Sequence, residues 1–232
     1  MKILAIDTST QSCSAAVVEA GSVLAEITIA GRRSHTRHLM EVIDTVLRLA
    51  GCNLTDLDGF AVTRGPGSFT GIRIGISCVK GLAMSTQKPV VGVSSLDALA
   101  HSVGESGNHI CTLIDARKNE VYWARYRIEN GLPAPEISER VSNLEEALSG
   151  IRERHVFVGS GALIHEQEIR QCLDGFACFV PGHRHMIHAP DVAALSMDRF
   201  TRGETDDINS LIPHYIRKSD AELNFKPCHM NG

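Results

Sequence analysis

Ile6-Asp7-Thr8-Ser9-Thr10 sets a carboxylate at the end of a short apolar run and follows it with hydroxyl-bearing residues. A carboxylate at a strand end beside such a loop is one way to hold a metal–phosphate group. Loops that do so read Asp-x-Gly-Thr, and here Ser9 stands where glycine would let the backbone approach a phosphate closely. The same side chains can instead bond to their own backbone and shape the turn. Asp7, Thr8 and Ser9, with Asp115 in the second half of the chain, are therefore the candidate nucleotide-binding residues.

A second stretch, Arg64-Gly-Pro-Gly-Ser-Phe-Thr-Gly-Ile-Arg-Ile-Gly, lies between a strand and a helix, where a phosphate cradle belongs. Its spacing is neither G-x-x-x-x-G-K-[ST] nor G-x-G-x-x-G. Pro66 also removes one N–H that a cradle would use. Pro66-Gly67 fits a type II turn instead, and Ser68 or Thr70 can cap the helix that follows. Histidines crowd at His35/His38 and at His183/His185/His188, but neither group has metal-ligand spacing with converging carboxylates. No metal set is expected from them, and no Ser/His/Asp or Cys/His nucleophile context is present. Asp115-Ala-Arg117-Lys-Asn-Glu120-Val-Tyr122 places charges at a strand-to-strand turn, where they pair locally or serve a ligand between lobes.

The elements that carry these residues follow from periodicity. Ile3 to Ile6, Ser14 to Glu19 and Val23 to Ile29 read as strands, the last two joined by a hairpin at Gly21-Ser22. Residues 36–50 switch to helical period, with Gly51 in C-cap position. Phe60 to Thr63 reads as a strand, Thr70 to Met84 as a helix, Pro89 to Val93 as a strand, and Ser95 to Val103 as a Ser-capped helix. The second half repeats this opening. Ile110-Cys-Thr-Leu-Ile-Asp-Ala echoes Ile3-Leu-Ala-Ile-Asp-Thr with one insertion, and His155-Val-Phe-Val-Gly-Ser-Gly echoes Gly59-Phe-Ala-Val-Thr-Arg-Gly. A duplicated α/β chain follows, with two lobes, each a mixed sheet with helices. We place them at 1–104 and 105–218, followed by a tail at 219–232, with the joint near Gly104 to Asn108.

The helix at 70–84 is apolar almost all round. Gly71, Gly75, Cys78 and Leu82 make a small-residue seam, and Ile72, Ile76, Val79 and Ala83 an apolar one beside it. A helix lying on one sheet needs a single stripe, so the excess predicts a second covering. In the helix at 36–50, Met40, Ile43 and Leu47 extend the apolar face in the same way. Met40, Ile43, Leu47, Gly71, Ile72, Gly75, Ile76 and Val79 are the candidate partner-binding residues, with another part of this chain as the alternative cover.

Composition narrows the partners. The 232 residues are 43% hydrophobic and 22% charged, with 23 Lys+Arg against 27 Asp+Glu and a net charge of −4. No basic stripe is visible and aromatics are 5%, so a nucleic-acid role is expected only through another chain. The cysteines are irregularly spaced and odd in number, which reads as reduced thiols in a cytoplasmic protein. The opening apolar run is too short to read as a signal peptide, and with no stretch approaching 18 apolar residues no membrane span is expected.

Taken together, Ile6-Asp7-Thr8-Ser9, Gly65-Pro-Gly-Ser-Phe-Thr-Gly71-Ile-Arg73-Ile-Gly75, Gly92-Val-Ser-Ser-Leu96, Asp115-Ala-Arg117 and Glu120-Val-Tyr122 strongly resemble the bacterial TsaB (YeaZ) family. The resemblance runs in register over residues 1–126. It then loosens, with Pro213-His-Tyr-Ile-Arg217 resembling the family's closing strand. It implies an actin-like, hsp70-like (ribonuclease H-like) duplicated fold. It also implies a place in making threonylcarbamoyladenosine beside the anticodon of tRNAs that read codons beginning with A. The implied role is non-catalytic, with no cofactor. The subunit binds the related TsaD subunit, which carries the active site and its metal, through its first two helices. The small ATPase TsaE joins the complex, and tRNA is met only through it. Alone, the same apolar face would pair with a second copy of the chain. The competing reading is a stand-alone actin-like ATPase or small-molecule kinase using Asp7 and Asp115.

Overall fold

The computed structural model describes residues 1–31, 35–104 and 109–217, with backbone only at 35–37. The chain opens with β1 (Lys2–Asp7), β2 (Ser12–Glu19) and β3 (Ser22–Ala30), then α1 (His35–Leu49), β4 (Gly59–Gly65), α2 (Phe69–Thr86), β5 (Val90–Ser94) and α3 (Ser95–His101). β1 pairs antiparallel with β2 and parallel with β4, which gives a five-stranded sheet of order β3-β2-β1-β4-β5. β1, β2 and β5 are buried along nearly their whole length, as befits strands covered on both faces. The hairpin turn falls on Ala20 (φ 48°) and Gly21 (φ 83°), one residue earlier than the sequence suggests, and both left-handed residues match the strand twist.

The second half is built alike: β6 (His109–Arg117), β7 (Glu120–Glu129), β8 (Leu132–Ser142), α4 (Leu144–Leu148), β9 (His155–Val158), α5 (Ser160–Ile164), α6 (Glu166–Leu173), β10 (Ala177–Phe179) and α7 (Ala189–Thr201). Its sheet runs β8-β7-β6-β9-β10, the first sheet's order strand for strand. Even the β7–β8 hairpin repeats the first one, with Asn130 (φ 52°) and Gly131 (φ 80°) at its tip. The duplicated fold is therefore present in topology.

Packing departs from the division drawn at residue 104. α3, from the first half, packs on β6, β7 and β8 as well as on β4 and β5. α7, from the second half, lies across β1, β2, β4 and β5 of the first sheet. One apolar core runs through both, from Ile3, Ala61 and Val91 through Leu96 and Leu99 to Ile114, Tyr126, Val192 and Phe200. The two sheets are thus separate, but the lobes share a core, and the expected joint falls largely on residues 105–108, outside the described ones.

Pro213 to Arg217, expected as a closing strand, forms no strand: 213–215 are irregular and 216–217 form a bend. Cys13, Cys52, Cys78, Cys111, Cys172 and Cys178 are free thiols; Cys228 and the rest of the 219–232 tail lie outside the described residues. No helix among the described residues is long and apolar enough to cross a membrane.

Candidate functional site

The turn after β1 is closed. Asp7, Thr8 and Ser9 are each 0% exposed. Asp7 Oδ1 accepts from the Ser9 backbone N–H (3.0 Å), the Ser9 hydroxyl (2.6 Å) and the Thr63 hydroxyl (2.7 Å) at the end of β4. The Thr8 hydroxyl donates to Gly71 O (2.7 Å) and Ser68 N–H to Ser9 O (2.7 Å). One carboxylate oxygen of Asp7 and the hydroxyls of Thr8 and Ser9 are thus engaged by the turn and by the 63–71 segment packed over it.

That packing explains the glycines. A side-chain carbon at Gly67 would overlap Ser9 O, one at Gly71 would overlap Thr8 O, and one at Gly75 would overlap Thr8 Oγ1. Gly71 and Gly75 of the seam therefore face inward, onto the 7–9 turn, whereas Cys78 turns outward to Met40 of α1. The type II turn expected at Pro66-Gly67 does not form, since Gly67 lies far from the φ near +80° that such a turn requires. Gly65 lies at φ 111°, Gly67 at φ 156°, and the Gly65–Pro66 peptide is cis. Ser68 caps α2 as expected, accepting from Gly71 N–H (3.3 Å).

The structure sorts the eight candidate partner residues. Ile43, Leu47, Ile72, Ile76 and Val79 belong to the core between the first sheet and its helices, and Gly71 and Gly75 are buried against the turn. Only Met40, 57% exposed, lies on the outside. The outer face of the two helices is a shallow groove lined by Leu39, Met40, Ile74, Ser77, Cys78 and Gly81. Met40 Sδ and Cys78 Sγ meet across it at 3.5 Å. Met84, 66% exposed, extends the apolar rim. Sequence reasoning missed Ile74, Ser77 and Gly81. They sit one helical stripe away from the glycine seam and carry no conspicuous residue type.

In the second lobe Asp115 caps its own turn. It accepts from Arg117 N–H (2.8 Å), and its N–H donates to Ser160 Oγ (3.2 Å). By strand register, Asp7 lies one residue past the last β1–β4 pair (Ile6–Val62), whereas Asp115 lies three residues past the last β6–β9 pair (Thr112–Val158). Arg117, Lys118 and Asn119 are all left-handed (φ 61°, 55° and 59°). Arg217 Nη1 holds this turn through Glu120 (2.8 Å) and Ala116 O (3.1 Å).

Residues 213–217 tie the lobes. His214 N–H donates to Arg64 O (2.7 Å), and its imidazole pairs with Glu139 of β8 (3.0 Å). Tyr215 stacks on Phe69 with ring centroids 4.0 Å apart and accepts from Arg73 Nε (2.7 Å). The histidine loop also joins elements. His185 is buried between Gly159 and the Val180 carbonyl, while His188 pairs with Glu26 of β3 (2.7 Å). That ion pair raises His188 above its ordinary value and lowers Glu26 below its own. His38 pairs with Glu41 (3.5 Å), and the His35 side chain lies outside the described residues.

Comparison with solved structures fixes the class. Component A of the (R)-2-hydroxyglutaryl-CoA dehydratase of Acidaminococcus fermentans superposes with a TM-score of 0.55 at 12% identity, covering 87% of this chain and 99% of that one. This is the actin-like ATPase fold. YeaZ from Pseudomonas aeruginosa matches at a TM-score of 0.79 and 31% identity, over 92% of this chain and 99% of its own. The "tRNA threonylcarbamoyladenosine biosynthesis protein TsaB" of Escherichia coli is 34% identical over 230 residues, 95% of this chain and 96% of that protein. The family model described as TsaD, tRNA N6-adenosine threonylcarbamoyltransferase, matches residues 22–225. The chain belongs to the TsaB (YeaZ) family.

Proposed function

We propose that this chain is a non-catalytic subunit in tRNA threonylcarbamoyladenosine biosynthesis. It supports a TsaD-like catalytic subunit, docking through the outer face of α1 and α2. The observation that carries this reading is the closed turn, with Asp7 Oδ1 satisfied by Ser9 and Thr63 and the phosphate's place filled by the segment that begins at Gly67. A chain that keeps the fold and fills the site has its use in what it binds. The groove around Met40, Ile74 and Cys78, with Met84 at its rim, is the apolar surface that a partner helix pair would cover. A TsaE-like ATPase joins the assembly, tRNA is reached through it, and the uncovered groove pairs with a second copy when the partner is absent.

The test is reconstitution. Threonylcarbamoyl transfer to tRNA should need the TsaD-like subunit and rise when this chain is added. Modification by this chain alone, given threonylcarbamoyl-adenylate, would overturn the proposal, and so would ATP turnover by the isolated chain.

A further inference from the structure

The parallel register of β6 and β9 places two histidines side by side, His109 opposite His155, at the strand ends remote from the Asp115 turn. Their rings lie 5.3 Å apart. Glu136 of β8 reaches the same point, its carboxylate 3.0 Å from His109 Nδ1. One donor atom from each of His109, Glu136 and His155 lies within 4.8 Å of the other two. Glu153 adds a carboxylate 3.4 Å from His109 Nε2.

We propose that His109, His155 and Glu136 form a binding site for a divalent transition cation of the zinc class, with Glu153 beside it. This inference is independent of the proposed docking role. Two imidazoles and a carboxylate are the donors that borderline cations select, whereas magnesium and calcium seek oxygen alone. His155 is prepared for ligation. Its Nδ1 lies 3.0 Å from the Glu153 carbonyl, and N–H donation there leaves the Nε2 lone pair for a metal. A tetrahedral ion needs donors about 3.4 Å apart, given bonds of about 2.0–2.1 Å to nitrogen and oxygen. Glu136, with a third of its side chain exposed, has room to rotate and close that gap. The ion would tie β6, β8 and β9 where the chain enters the second sheet.

The test uses the full-length, untagged chain stripped with chelator and titrated calorimetrically with zinc chloride, then with magnesium chloride. Zinc should bind one to one and raise the melting temperature; magnesium should do neither. Loss of a direct ligand should exceed the roughly 10–100-fold typical of an outer-shell partner, so His109→Gln and Glu136→Gln should each weaken zinc by more than that. Both substituted side chains are partly exposed, so circular dichroism of each apo variant should match the unaltered chain. Cobalt(II) should give the visible bands of a four-coordinate site in the unaltered chain and lose them in both variants. No saturable zinc binding overturns the site and leaves an ion-pair cluster; binding undiminished in either variant overturns it too, with the zinc then held elsewhere.

Discussion

Two glycines on one helix should answer bulk in opposite ways. Gly75 and Gly81 are separated by less than two turns of α2, yet a side-chain carbon at Gly75 meets Thr8 Oγ1, while one at Gly81 meets nothing within 4 Å. Gly75→Leu must displace the turn that Thr8 anchors through its hydroxyl bond to Gly71 O. Overpacking costs ~1–3 kcal/mol, and a buried hydrogen bond broken on one side adds ~1–3 kcal/mol. Replacing glycine inside a helix returns up to ~1 kcal/mol. The net loss is ~1–5 kcal/mol, or a melting temperature lower by roughly 2–20 °C at ~2–4 °C per kcal/mol for a domain of this size. Gly81→Leu keeps the helix gain with no clash, so the isolated chain should melt at the same temperature or a few degrees higher.

Partner affinity should show the reverse. Leucine at Gly81 stands in the groove beside Met40 and Cys78. Overpacking of ~1–3 kcal/mol at a close contact corresponds to about ten- to a hundredfold weaker binding. Differential scanning fluorimetry on the isolated chain and calorimetric titration against the TsaD-like subunit separate the two effects. A Gly81→Leu chain that binds normally would remove the groove from the interface. A Gly75→Leu chain with an unchanged melting temperature would refute the inward-facing seam.

Three further outcomes follow from side chains at the turn and the interlobe ties. Thr63→Val withdraws a donor from the buried Asp7 carboxylate and should cost ~1–3 kcal/mol, read by chemical denaturation. Tyr215→Ala removes the stack on Phe69 and the Arg73 bond, and should raise amide exchange at 213–217 while costing ~1–2 kcal/mol. For the Glu26–His188 pair the raised histidine stabilises below 6.5, and that gain is lost as pH rises through its higher folded value. The lowered glutamate stabilises above 4.5, and that gain is lost as pH falls through its lower folded value. His188→Ala should thus cost most between about pH 4.5 and 6.5, by ~0.5–1 kcal/mol, and little at pH 9; a cost unchanged at pH 9 would remove the ion pair from the account.

Much of the fold is legible in sequence because strand and helix periods are local. β1, α1, β4, α2 and β5 all stand within a residue or two of where alternation and helical period put them. What was not legible is which way a residue faces when two surfaces compete for it. Gly71 and Gly75 carry the signature of a close approach, and the approach is real, but the approaching group is the 7–9 turn, more than sixty residues earlier in the chain. The exchange of α3 and α7 between sheets is likewise invisible, since each helix has an ordinary apolar stripe and its partner is set by the path of the chain. The His109–His155 pair escaped for the same reason: local spacing drew attention to His35/His38 and His183/His185/His188, whereas strand register alone brings residues 109 and 155 together.

The closed turn and the tied lobes belong to one argument. Domain closure around a ligand needs a hinge and a cleft whose walls separate. Here α3 and α7 are each packed on the sheet of the other half, so opening would expose the shared core around Leu96, Leu99, Val192 and Phe200. The rim is tied as well, by His214 to Glu139, Arg217 to Glu120, His188 to Glu26, and the α7 N-terminus (Ala189 N–H) to Ser14 Oγ at 2.9 Å. Exposed ion pairs are individually weak, but these span elements that would have to part together, and the apolar core behind them is far costlier to open. On the proposed docking role, a chain whose 7–9 turn is closed by residues 67–71 has no need of that motion, and a rigid helical face serves a partner better without it.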